Sequence, residues 1–184
     1  MQTIPQILAK ELGKPQQAVE NVIALLDQGN TIPFIARYRK EQHGSMDDTA
    51  LRKLEDRLRY LRNLETRRQE VKSAIDGQGK LTEELSASID NAATLAEVED
   101  LYRPYKQKRR TRAMIAKEKG VQPLADAIFA QRRGDDPLRL AQAYVSEEKG
   151  VPDAQTAVQL AQDILTEQIS DDAAIRASLR ALYR

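Results

Sequence analysis

The stretch DDTALRKLEDRLRYLRNLETRRQEVKSAID, residues 47–76, decides the fold class. Leu51, Leu54, Leu58, Leu61, Leu64, Val71 and Ile75 recur mostly at three- and four-residue steps, the period of a single helix face. Between them stand charges of alternating sign, from Arg52, Lys53, Glu55 and Asp56 to Glu70 and Lys72, which suit a solvated, ion-paired outer surface. A helix of about 30 residues is roughly 45 Å long. The leucine repeat breaks after Leu64, too soon for a coiled-coil dimer, so the stretch reads as an intramolecular strut. Asp47 or Asp48 suits its N-cap, and Gly77-Gln78-Gly79 ends it.

Outward from the strut the chain breaks into short helices. Residues 4–12 carry apolar positions at 4, 7, 8 and 12 before Gly13, and Pro15 opens a second helix along Val19, Val22, Ile23, Leu25 and Leu26 to Gly29, so the two form a hairpin. After the break at Asn30–Pro33, residues 34–41 read as a short helix with Phe34, Ile35 and Tyr38 on one side, an aromatic-anchored core turn. His43-Gly44-Ser45 is a turn. Downstream, Thr82 and Thr94 cap helices along Leu85 and Ile89, then Val98, Leu101 and Tyr102 to Pro104. Thr111 caps a helix through Met114 and Ile115 to Gly120. Further helices run along Leu124, Ala127, Ile128 and Phe129, then Leu138, Leu140, Ala141 and Tyr144. Asp153 caps one with Ala157, Leu160, Ala161, Ile164, Leu165 and Ile169, and Ser170 caps a last one with Ile175, Leu179 and Leu182. The expected fold is all-α, a multi-helix array of antiparallel helical hairpins with one long central helix. The last helix stops in mid-pattern, which reads as a fragment of a longer protein.

Composition agrees with that class. Of 184 residues 41% are hydrophobic but only 4% aromatic, with no tryptophan and no cysteine, the composition of helices rather than sheets. Without cysteine there are no disulfides or thiolate metal sites. The start Met-Gln-Thr-Ile-Pro lacks a basic, then apolar, signal pattern, and no stretch approaches the roughly 18 apolar residues of a membrane span, so the expected location is the cytoplasm, with no membrane partner.

Charge is unevenly spread. The chain as a whole is +1, yet residues 101–120 hold Arg103, Lys106, Lys108, Arg109, Arg110, Arg112, Lys117 and Lys119 against Glu118 alone. Residues 1–100 and 121–184 each sum to −3. A localised basic segment beside Tyr102 and Tyr105 is a candidate nucleic-acid footprint, because phosphates need Lys and Arg while bases stack on flat rings. Arg37 and Arg39 form a second candidate basic surface. The other reading is a solvated loop over 104–110 paired with acidic neighbours such as Glu97, Glu99 and Asp100.

Catalytic chemistry is poorly represented. No glycine-rich phosphate loop follows a strand, and His43, the single histidine, has no partner at a ligand or triad spacing. The carboxylate pairs Asp47–Asp48, Glu83–Glu84 and Asp171–Asp172 each stand at a helix start or cap. No catalytic residue, metal ligand or cofactor is expected, and the protein reads as not an enzyme.

Four blocks carry a family resemblance: Gly29 to Glu41 (GNTIPFIARYRKE), Leu58 to Glu65 (LRYLRNLE), Gly79 to Thr82 (GKLT) and Glu99 to Ala113 (EDLYRPYKQKRRTRA). Through them the sequence resembles the N-terminal region of the bacterial Tex transcription accessory proteins, relatives of a eukaryotic transcription elongation factor. The resemblance implies a Tex-like N-terminal helical region over 1–120, with 121–184 continuing as helical hairpins ahead of later domains. It also implies nucleic acid, RNA or DNA, as the partner of the full-length protein, together with transcription or translation machinery. No catalytic residue is carried over by it. Two functions therefore stand. In one, the module contacts phosphates through Arg103, Lys106, Lys108, Arg109, Arg110 and Arg112 with Tyr102 and Tyr105 stacking. In the other it is a helical scaffold for protein or interdomain contacts, and the basic residues serve the fold.

Overall fold

The structure, a computed structural model, describes residues 2–183. Among them are eleven α-helices, two short 3-10 turns and no sheet, with a single antiparallel bridge between Ser146 and Val151. The all-α expectation holds. No described helix is long and apolar enough to cross a membrane. The chain forms two compact units, residues 1–78 and 79–184.

The first unit contains α1 (Ile4–Leu12), α2 (Gln16–Asp27), α3 (Ile32–Tyr38) and α4 (Asp48–Asp76). Thr3 and Gln6 close a reciprocal capping box on α1, and Gly13, left-handed at φ 62°, ends it. The α1–α2 hairpin expected from the sequence is present, and both helices pack on α4. All seven apolar residues of the strut are buried, and Asp47 caps its start by accepting the Ala50 N–H at 2.7 Å. Leu51, Leu54, Leu58 and Leu61 meet Leu8, Val19, Val22, Leu25, Ile32 and Ile35 in one core. Outside that core Arg57 grips Glu11 and Arg62 grips Asp27 through paired bonds of 2.7–2.8 Å, tying the hairpin to α4.

One sequence expectation changes in this unit. The turn of α3 is anchored by Ile32 and Ile35, whereas Tyr38 is 61% exposed. Phe34 tilts against Tyr38 at 5.2 Å between ring centroids and Arg39 lies 5.3 Å over the Phe34 ring, so the aromatics form a half-solvated stack beside the core. His43 stands in a turn, as expected, and is buried there, its Nδ1 accepting the Met46 N–H at 3.1 Å. The turn packs so closely that a Cβ on Gly44, where φ is +58°, would sit 2.9 Å from the Ala18 Cβ.

The second unit runs through α5 (Glu83–Asn91), α6 (Leu95–Tyr102), α7 (Arg112–Glu118), α8 (Gln122–Phe129), α9 (Pro137–Ala141), α10 (Ala154–Asp171) and α11 (Ala173–Leu182). Thr82, Thr94, Thr111 and Asp153 cap α5, α6, α7 and α10 through their side-chain oxygens, as expected. The core gathers α7, α8 and α9 around α10 and is made largely of alanine: Ala113, Ala116, Ala125, Ala141, Ala154, Ala157 and Ala161, filled out by Val121, Leu124, Val151 and Ile164.

Periodicity overstated the apolar burial here. Met114, Phe129, Leu138 and Ile169 are exposed, and so is the stripe Ile175, Leu179 and Leu182 of α11, a helix with no buried residue. On α7, α8 and α9 the inward positions are taken by the neighbouring Ala113, Ala125 and Ala141, whose small side chains let the backbones approach. Ser170 does not cap the last helix. α10 continues to Asp171, and Asp172 caps α11 by accepting the Ile175 N–H at 2.8 Å.

Candidate nucleic-acid interface

The basic segment leaves α6 through a 3-10 turn, Arg103–Tyr105, and reaches α7 through residues 106–110. Pro104 sits in that turn and lacks an N–H to continue α6, so the chain bends there and swings its cations toward the C-terminal end of α10. Arg103, Lys106, Lys108 and Arg112 share a cleft of about 700 Å³. Facing them across it are Glu99, Glu167 and Asp171.

Inside the cleft the charges pair. Arg103 donates to Asp171 at 2.8 Å, and Lys108 donates to the other oxygen of the same carboxylate, with Glu167 3.7 Å from its Nζ. Lys106 bonds Glu99 at 2.5 Å. Asp171 is 9% exposed. It ends α10, where the helix dipole is negative and a carboxylate is disfavoured, and the two cations offset that cost. The Lys106 Nζ also lies 5.4 Å over the Tyr102 ring.

Alongside, Asp100 of α6 takes Arg176 at 2.5 Å and Arg180 on its second oxygen, both from α11. Burial pushes the Asp100 carboxyl up, but the two arginine hydrogen bonds and their charges outweigh it and hold it below the usual aspartate range. This clasp joins α11 to α6 where no buried apolar side chain of α11 does so.

Arg109 and Arg110 lie outside the cleft, and Arg112 lines it while remaining exposed. Arg110 meets Glu118 at 2.7 Å, but both side chains are mostly exposed, so the pair contributes little. Arg109 and Arg112 are exposed and make no ion pair among the described residues. The segment therefore divides into an inner set (Arg103, Lys106, Lys108) and an outer rim (Arg109, Arg110, Arg112).

Of the acidic neighbours named from sequence, Glu99 does answer the loop. Glu97 instead accepts the Ala93 N–H at 2.7 Å, and Asp100 serves α11. Sequence reasoning missed Glu167 and Asp171, more than 55 residues downstream, because a tertiary ion pair leaves no local pattern. Tyr102 and Tyr105 are half-buried. Arg37 and Arg39 lie in the first unit, on α3 and just past its end. Arg37 is exposed, while Arg39 donates to the Tyr38 carbonyl at 3.1 Å and covers Phe34.

The fold and this site define a charge-braced helical module. Residues 2–76 match the Tex-like protein N-terminal domain and residues 132–184 the Tex central region-like domain. The chain is 48% identical over 177 residues to the transcriptional accessory protein Tex of Neisseria gonorrhoeae, covering 96% of this chain and 23% of that protein. It is 51% identical over 173 residues to the protein tex of Bordetella pertussis, covering 94% of this chain and 22% of that one. To the human S1 RNA-binding domain-containing protein 1 it is 30% identical over 168 residues, covering 91% of this chain and 17% of that protein. The chain belongs to the Tex family, and it spans about a quarter or less of the length of these curated relatives.

Proposed function

We propose that this chain is a non-enzymatic helical module of a cytoplasmic transcription accessory protein that associates with nucleic acid. Within it, the rim Arg109, Arg110 and Arg112 contacts phosphates. The observation that carries the reading is the exposure of these three arginines in the segment where the positive charge is concentrated. The names of the relatives, a transcriptional accessory protein and an S1 RNA-binding domain protein, support the partner class. Arg109 and Arg112 make no ion pair among the described residues and Arg110 is held only by the exposed Glu118, so all three release counterions when they meet a phosphate backbone, and contact is independent of base sequence and weakens steeply with salt. Three contacts give modest affinity. Arg37 and Arg39 are a secondary proposal of the same kind.

The scaffold alternative is favoured by a different observation, the carboxylates already seated on Arg103, Lys106 and Lys108. Fluorescence anisotropy of labelled single-stranded RNA and duplex DNA over a salt series separates the two. The phosphate reading expects salt-sensitive binding that R109E/R110E/R112E abolishes while circular dichroism is unchanged. No binding by the folded parent at roughly 100 micromolar, the weak end of non-specific affinity, leaves the scaffold.

A further inference from the structure

The inner cations carry the same positive charge as the outer ones, yet carboxylates occupy them. Asp171 bridges Arg103 and Lys108 with one oxygen to each, the geometry a phosphate offers to two cations. Glu167 stands 3.7 Å from Lys108, beyond hydrogen-bond reach, as a loosely held second anion. The cleft around them holds about 700 Å³ and is lined also by Arg112, Thr111, Thr166 and Ser170. Its five cations are matched by the five carboxylates Glu99, Asp100, Asp163, Glu167 and Asp171.

We propose that Asp171 and Glu167 mask a second phosphate site formed by Arg103 and Lys108, competing internally with a polynucleotide backbone that reaches the cleft from the arginine rim. The proposal rests on the rim reading for its ligand and adds regulation to it. The masking carboxylates and the masked cations come from separate helical elements, α10 and the connection after α6, so a backbone phosphate replaces Asp171 by a side-chain rearrangement without unfolding a helix. A phosphodiester carries the same single charge as the carboxylate it displaces. The exchange is therefore near balance, and the mask sets affinity rather than forbidding binding. Both helical elements belong to the second unit, and the masked pair lies on the same connecting segment as Arg109 and Arg110.

The test compares parent, E167Q, D171N/E167Q and R109E/R110E/R112E by anisotropy of a labelled single-stranded RNA across salt, with circular dichroism on each. Unmasking two cations is expected to raise affinity roughly tenfold at low salt and to steepen the plot of log K against log salt by about one to two. E167Q alone, which leaves Asp171 bonded to both cations, is expected to show a smaller gain, roughly threefold by the same counterion argument, and it decides the matter if D171N/E167Q does not fold. Folded variants that bind like the parent overturn the mask. If the parent binds through the rim and unmasking changes nothing, the mask fails and the rim reading stands. If the parent is silent and the unmasked variants bind, the rim reading fails and the masked site stands. If neither binds, both fail.

Discussion

The two compact units solve the same packing problem with different materials. The first buries a leucine and β-branched core along α4 and adds bidentate arginine brackets at its surface. The second buries mostly alanine and places its acid-base pairs partly inside, at Asp100 and Asp171. Alanine offers little apolar area per residue, so a core built from it gains from close backbone approach and contributes less transfer free energy. The lesson is that charge can be peripheral or integral in one chain. In the first unit the brackets lie exposed at the surface of an apolar core. In the second, the Asp100 clasp ties α11 to α6.

Truncating the first unit's core is the strongest way to break the comparison. Leu54→Ala is expected to cost about 2–5 kcal/mol, read as a lower midpoint in chemical denaturation, because Leu54 is fully buried in the core that α4 forms with the α1–α2 hairpin. Overpacking is the matching stress on the second: Ala161→Leu, where α10 meets its neighbours at zero exposure, is expected to cost about 1–3 kcal/mol. Asp100→Asn is expected to cost about 1–2 kcal/mol, at the low end for a buried partner because both arginines remain a third exposed. Hydrogen exchange read by mass spectrometry should localise that loss to α11. The same clasp predicts a pH dependence. The folded Asp100 titrates below its unfolded value, so its contribution is complete above about pH 4 and is lost as pH falls through the lowered folded value, and α11 amides should lose protection in that window. The smallest expected effect is Arg57→Ala, under about 1 kcal/mol and shrinking with added salt, since its pair with Glu11 is more than a third exposed. A larger loss there than at Asp100 would erase the contrast between the units.

Local chemistry made much of the fold legible from sequence. The strut's period, the Thr and Asp caps and the Gly13 and Gly120 stops all follow from interactions within a few residues, and they appear where the pattern put them. Burial was less legible wherever alanine lay next to a larger apolar residue. Met114 beside Ala113 and Phe129 four residues after Ala125 have the hydrophobicity of core residues, but close helix approach selects the smaller side chain. The basic segment itself was plain from charge alone. Its division into an inner set held by carboxylates of the cleft and an exposed rim was not, because Asp171 and Glu167 reach it through the turn at Pro104 and the lie of α10, both tertiary features. His43 shows the same limit: a lone histidine between turn residues gives no sign that it will be buried.

Arginine modification by phenylglyoxal, mapped by mass spectrometry with and without single-stranded RNA, tests the division of the cations most directly. In the free protein Arg109, Arg110 and Arg112 are expected to react faster than Arg103, Arg176 and Arg180, and RNA should protect the first three. Equal reactivity of the two sets, or protection that leaves Arg109, Arg110 and Arg112 untouched, would contradict the account.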